Sequence, residues 1–149
     1  MKAVVTMYAA PTYRKGTVLN SSRAVYEHAK GQELSGREVM TAFLLDAKNK
    51  LMHAETLGVG TIDASAVHPR ELVTVMLLKQ ASSAVLVHNH PSGDPEPSPA
   101  DREVTKDIVW ALKLMQMKLL DHVILGDGCF FSMADHGLLE QFEFEFLHA

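Results

Sequence analysis

The stretch Val85-Leu-Val-His88-Asn-His90-Pro91-Ser92-Gly93-Asp94-Pro-Glu-Pro-Ser98-Pro99-Ala-Asp101 constrains this chain more than any other. It opens as an apolar run, which reads as a buried strand, and it ends in two histidines one residue apart. Side chains alternate along a strand, so His88 and His90 project to one face and Asn89 to the other. Pro91-Ser92-Gly93 stops the strand, and Gly93 permits a sharp turn. Ser98-Pro99-Ala100-Asp101 then reads as the first turn of a helix, with Ser98 at the N-cap, Pro99 at N1 and Asp101 at N3. A carboxylate is thereby returned to the end of the strand.

Two imidazole nitrogens and one carboxylate oxygen form a donor set suited to zinc. Three protein ligands leave a fourth position open, as a hydrolytic zinc site requires. Plainer readings use the same residues. The histidines could be satisfied polar groups at a strand end, and Ser98 with Asp101 could be a capping box that needs no metal. Two histidines on one face together with a returning Asp101 favour the metal.

On either side of this stretch the pattern is mixed helix and strand. Ala3–Tyr8 reads as a short strand and Ala9 to Val18 as a loop. Asn20-Ser21-Ser22 offers N-caps for a helix to about Lys30, ended by Gly31. Ser35-Gly36 is a break, and Arg37-Glu38 opens the next element. Val39 to Asp46 and Leu51 to Val59 form a hairpin of strands. Asp63 to His68 reads as a loop. Pro69 to about Gln80 is a helix whose Leu72, Val73, Met76 and Leu77 fall at core spacing. Pro99 to about Met117 is the longest helix, with Val104, Ile108, Leu112 and Met115 as its apolar stripe. Leu119 to Gly126 and Cys129 to Ser132 are strands about an Asp127-Gly128 turn. His136 to Gln141 suggests a short helix. Phe142, Phe144 and Phe146 alternate with Glu143 and Glu145, as a strand or an interface segment would. The expectation is one α/β domain, a mixed sheet with packed helices.

The 149 residues are enough for one domain with a real core. A net charge of −4 argues against a broad basic footprint for phosphates. Cys129 is the sole cysteine, so no internal disulfide is expected and a reducing, cytoplasmic setting fits. It reads as a core or turn residue. No apolar run reaches membrane-span length, and the first residues lack a signal-peptide core. Among the other histidines, His28 and His53 read as surface residues, and His68 and His122 lack metal-ligand spacing. Asp94 and Asp121 read as turn and structural carboxylates.

His88-Asn-His-Pro-Ser-Gly-Asp-Pro95 followed by Pro97-Ser98-x-x-Asp101 resembles the JAMM (MPN+) metalloprotease motif in the form carried by bacterial RadC-like proteins. The resemblance runs from about Ser21 to Ser132 and includes Gly60-Thr-Ile-Asp63, His68-Pro-Arg-Glu71 and Leu120-Asp-His-Val-Ile-Leu-Gly126. It implies a cytidine-deaminase-like layout with the metal at the sheet's edge. It implies zinc on His88, His90 and Asp101, a Glu acting on the attacking water, and Ser98 polarising a substrate carbonyl, and it lets His68 or His122, which lie in matching stretches, line the site. Full-length RadC-like proteins carry an N-terminal helix-hairpin-helix-type region that this chain is too short to include. A DNA role resting on that region is therefore not expected of this chain alone.

Zinc hydrolysis needs a base that takes a proton from water and returns it to the leaving group. Spacing leaves Glu33, Glu38, Glu55 and Glu71 open. The resemblance selects Glu38, just before the strand ending in Leu45-Asp46, with Glu55 as runner-up. The reading that follows is a zinc hydrolase acting on a peptide or isopeptide bond of a protein or peptide substrate. Strong nucleic-acid or membrane binding is not expected. Two alternatives are a DNA-associated protein, including a metal nuclease, and a metal-stabilised interaction module. Against a nuclease, residues 84–101 contain no Lys or Arg.

Overall fold

β1 (Val39–Leu45) and β3 (Ser83–Asn89) are buried at every position, as their continuous apolar runs require of strands covered on both faces. The computed structural model describes residues 13–60 and 67–149. The strand expected at Ala3–Tyr8, the start of the following loop, most of the Gly60–Asp63 motif and most of the Asp63–His68 loop lie outside them.

Five strands form one sheet in the order β2-β1-β3-β4-β5, where β2 is Leu51–Val59, β4 is Lys118–Leu125 and β5 is Phe130–Ser132. β1 is antiparallel to both its neighbours, and β5 is antiparallel to β4. β3 and β4 are parallel, and a parallel pair needs a crossover. The helix α3 (Pro99–Leu114) is part of that crossover. With helices on both faces, this is a single α/β domain of the expected mixed type.

Alternation along the strands divides the core in two. Met40, Ala42 and Leu44 of β1 and Ala84 and Leu86 of β3 pack with Leu72 and Met76 of α2 (Pro69–Lys79) and Val104, Ile108 and Leu112 of α3. Phe43, Leu45, Val85 and Val87 face the other way, onto Val25 and Ala29 of α1 (Ser22–Ala29). Extended by one step, the pattern sends His88 to the α3 side and Asn89 to the α1 side.

Caps follow the sequence closely. Ser21 Oγ accepts from the Ala24 N–H at the start of α1, and Pro69 and Pro99 occupy the first turns of α2 and α3. Several expectations are corrected. Leu77 is 53% exposed and Met115 46% exposed, so neither is core. Leu77 follows Met76 on the turn and points off the buried face. Met115 lies at the C-cap, past the last buried residue of α3, Leu112. Phe142, Phe144 and Phe146 belong to a helix, α4 (Leu138–Leu147), and not to a strand. Phe142 is buried, Phe146 meets Trp110 edge-on, and Phe144 faces solvent. His28 is half-buried between the rings of Tyr13 and Phe43 and is not a surface residue. Cys129 is exposed in the β4–β5 turn. Among the described residues, no helix is long and apolar enough to cross a membrane.

Candidate metal centre

The C-terminal end of β3 meets the N-terminal ends of β1 and α3. The β1–β3 register pairs Met40 with His88. One full pleat beyond Met40, on the same face, is Glu38, and one pleat beyond His88 is His90. The antiparallel register therefore brings Glu38 to the two histidines from a distant part of the sequence. This junction lies at the end of the central strand, not at a lateral edge of the sheet.

Glu38 Oε1 stands 3.4 Å from His88 Nε2 and 3.9 Å from His90 Nε2. Asp101 Oδ1 is 3.3 Å from His88 Nε2, and its Oδ2 is 3.0 Å from His90 Nε2. Glu38, His88 and His90 each offer one ligand atom within 4.8 Å of the others, a group able to hold a metal ion. Donors at about 2.0–2.1 Å from a tetrahedral zinc are separated by roughly 3.3 Å, the size of the His88–Asp101 gap. His88 Nε2 is buried and has no hydrogen-bond partner among the described residues. An orphaned, inward-pointing nitrogen between two carboxylates fits a cation.

Asp101 is held by the capping box anticipated from sequence. Its backbone N–H donates to Ser98 Oγ at 3.0 Å, and its Oδ2 accepts from the Ser98 N–H at 2.8 Å. Burial works to raise the Asp101 carboxyl. The His90 bond, the nearby charge of His88 and the Ser98 N–H outweigh it and hold the group well below the usual carboxylate range. His90 is shifted upward, chiefly by its bond to Asp101 and against its partial burial. Its Nδ1 donates to the backbone carbonyl of Asp94 at 2.8 Å, which leaves Nε2 to face the site. Asp94 thus serves the site through its main chain.

His88 is set from behind. The Thr105 hydroxyl donates its one proton to the Asp101 backbone carbonyl at 2.6 Å. It must then accept from His122 Nδ1, 2.7 Å away. His122 is fully buried, and burial, followed by the charge of His88, pushes its pKa far down, so it is neutral. Its Nε2 is consequently an acceptor for His88 Nδ1–H at 2.8 Å. His88 Nδ1 is thereby committed to His122, and Nε2 is the nitrogen that faces Glu38 and Asp101.

Each site residue expected from sequence lies at this junction: Glu38, His88, His90, Ser98 and Asp101. The other acidic candidates do not. Glu55 pairs with His53 on β2 at 2.6 Å, Glu33 accepts from the Gly31 N–H, and Glu71 is exposed at the start of α2. His68 is the N-cap residue of α2. Sequence reasoning did not assign Thr105 and His122 their place behind His88. Thr105 lies one helical turn past Asp101 on the buried face of α3, and that spacing was the available signal. A cleft of about 280 Å³ opens beside the junction, lined by Gly36, Arg37, Glu38, Gly60 and Pro91. Arg37 brings a positive charge that the His88–Asp101 stretch lacks.

A mixed α/β sheet whose central strand ends in His-x-His against a helix-capping Asp defines a domain of the JAB/MPN type. The particular family follows from comparison: residues 19–138 match the RadC-like JAB domain, and the chain belongs to that family. It is 43% identical to a UPF0758 protein of Chlorobaculum tepidum, over 81% of this chain and 55% of the relative. A UPF0758 protein of Pseudomonas fluorescens is 39% identical, over 93% of this chain and 64% of the relative. A third, from Xanthomonas campestris, is 49% identical over 67% of this chain and 44% of the relative. The chain thus spans about half the length of the curated relatives it matches.

Proposed function

We propose that this domain is a zinc-dependent hydrolase that cleaves a peptide or isopeptide bond in a protein or peptide substrate. His88, His90 and Asp101 are the metal ligands, Glu38 is the proton shuttle, and Ser98 is the donor to the oxyanion. Two imidazoles and a carboxylate suit zinc better than the harder divalent cations. Bound there, zinc supplies Lewis acidity and acidifies water.

The observation that carries the reading is the unequal exposure of the two carboxylates. The Asp101 side chain is 6% exposed, its two oxygens reach the Nε2 atoms of both histidines, and it is tied to the helix cap. The Glu38 side chain is 18% exposed and lines the cleft through which a substrate would arrive. A ligand belongs in the first position and a base in the second. Glu38 Oε1 accepts a proton from the attacking water and delivers it to the departing nitrogen. Ser98 Oγ already accepts from the Asp101 N–H, so its own proton is available to the carbonyl oxygen as negative charge develops there.

The test is hydrolysis of a panel of peptide and isopeptide amides by the purified domain. Activity should be lost on treatment with a zinc chelator and return with added zinc. Activity that persists unchanged in the metal-stripped protein would refute the reading.

A further inference from the structure

We infer that Asn89 is a positioning residue for Glu38, gripping the peptide groups on both sides of it. The inference rests on reading Glu38 as the proton shuttle.

Asn89 is fully buried and lies between the two histidines, on the opposite face of β3. Its Oδ1 accepts from the Val39 N–H at 2.9 Å, and its Nδ2 donates to the Arg37 carbonyl at 2.7 Å. These are the backbone groups immediately after and before Glu38. In a parallel ladder, one residue bridges the carbonyl before and the N–H after its neighbour on the next strand. Here a side-chain amide makes that bridge. The backbone pairing of β1 with β3 ends at Met40–His88, so the amide takes over where the ladder stops. On the other side, the Glu38 carbonyl accepts from the Gly60 N–H at 2.8 Å, at the end of β2.

Asn89 is itself anchored. It pairs with Leu125 of β4, whose carbonyl also accepts from the His90 N–H at 2.9 Å. One tripeptide therefore sets both halves of the centre. His88 and His90 face the metal position, and Asn89 fixes the backbone from which Glu38 reaches it. A displacement of about 1 Å in a catalytic group can cost on the order of a hundredfold in rate, so a rigid grip here has a chemical consequence. A buried Asn that merely satisfies a frayed sheet end would affect stability alone, and the two roles separate experimentally.

Asn89→Ala removes both of these hydrogen bonds and a longer third one, from Nδ2 to Ser35 Oγ at 3.4 Å. Asn89→Asp keeps the size and the acceptor for Val39 while replacing the donor to Arg37, and it serves if the alanine variant does not fold. The full chain is loaded with cobalt(II) alone, and the pH midpoint of its visible spectrum is read for wild type, Glu38→Gln, each Asn89 variant and the double variant. The expected result is stoichiometric cobalt in all of them. The Asn89 variants should shift the midpoint in the direction of Glu38→Gln, and adding an Asn89 change to Glu38→Gln should shift it no further. On an amide hydrolysed by the wild type, kcat should fall roughly tenfold or more at unchanged KM. A midpoint that stays at the wild-type value in both Asn89 variants while thermal stability drops would overturn the inference. So would shifts that add to that of Glu38→Gln. If Glu38→Gln itself leaves the midpoint and hydrolysis unchanged, the failure lies in the role given to Glu38, and the inference falls with it.

Discussion

His88 Nδ1 stands 2.8 Å from His122 Nε2 inside the core, and that contact decides which nitrogen of His88 faces the metal position. Thr105 completes the arrangement by giving its proton to the Asp101 carbonyl and accepting from His122. Thr105→Val is nearly isosteric but leaves the buried His122 Nδ1–H without its partner. It should lower stability by about 1–3 kcal/mol. Loss of the ring in His122→Leu should weaken zinc binding about 10–100-fold, the usual effect of removing such outer partners. Competition titration against a chromophoric chelator reads the second effect. An affinity equal to wild type in His122→Leu would show that His88 needs no support from behind.

Much of this centre was legible in sequence because it is local. The spacing of His88 and His90, the turn at Gly93 and the Ser98–Asp101 capping box are each set within a few residues. Glu38 is different: it joins through the antiparallel register of β1 with β3, which no local pattern encodes, and only a family resemblance selected it. His122 is likewise supplied by parallel pairing across the α3 crossover, where β3 His88 and β4 His122 come from strands far apart in the chain. The phenylalanines at 142, 144 and 146 show the opposite failure. Their alternation has the period of a strand, but Phe142 and Phe146 are four apart and share a helical face toward α3, where Trp110 donates to the Phe142 carbonyl.

Zinc removal should change the pH response of stability. Without metal, Asp101 and His90 form a pair whose pKa values move apart, Asp101 below its ordinary 3.8 and His90 above its ordinary 6.5. The depressed Asp101 contributes stability above 3.8 and loses it as pH falls through its folded value. The raised His90 contributes below 6.5 and loses it as pH rises through its folded value. The metal-free pair is therefore most stabilising between those ordinary values. Zinc competes with the proton on His90, so its own contribution grows with pH. The difference in Tm between zinc-loaded and zinc-free protein should be larger near about pH 8 than near about pH 5.5. A difference that shrinks with rising pH would contradict the ligand role of His90.

The capping seen for Ser98 and the oxyanion role proposed for it are separable. Ser98→Ala removes the acceptor for the Asp101 N–H and should cost about 1 kcal/mol of stability. It should leave zinc stoichiometry intact, because Asp101 Oδ2 still accepts from the residue 98 backbone N–H. Turnover should fall about 10²-fold if the hydroxyl supports the oxyanion. Chemical denaturation and kinetics measured on the same sample distinguish the two losses, and full turnover at reduced stability would confine Ser98 to capping.

Nucleic-acid binding by this domain should be weak and steeply salt-dependent, since the chain carries a net charge of −4. Fluorescence anisotropy with an unmodified duplex is the check. Sub-micromolar affinity at physiological salt would reveal a basic surface that composition conceals.

The division of labour between the two carboxylates is tested most directly by Glu38→Gln, measured for zinc content and hydrolysis in one preparation. Glutamine keeps the size and polarity of the side chain but cannot take up a proton. The account predicts one zinc per chain, as in wild type, with hydrolysis reduced by about a hundredfold or more. Loss of zinc would make Glu38 a ligand, and retention of both zinc and full activity would remove it from the mechanism.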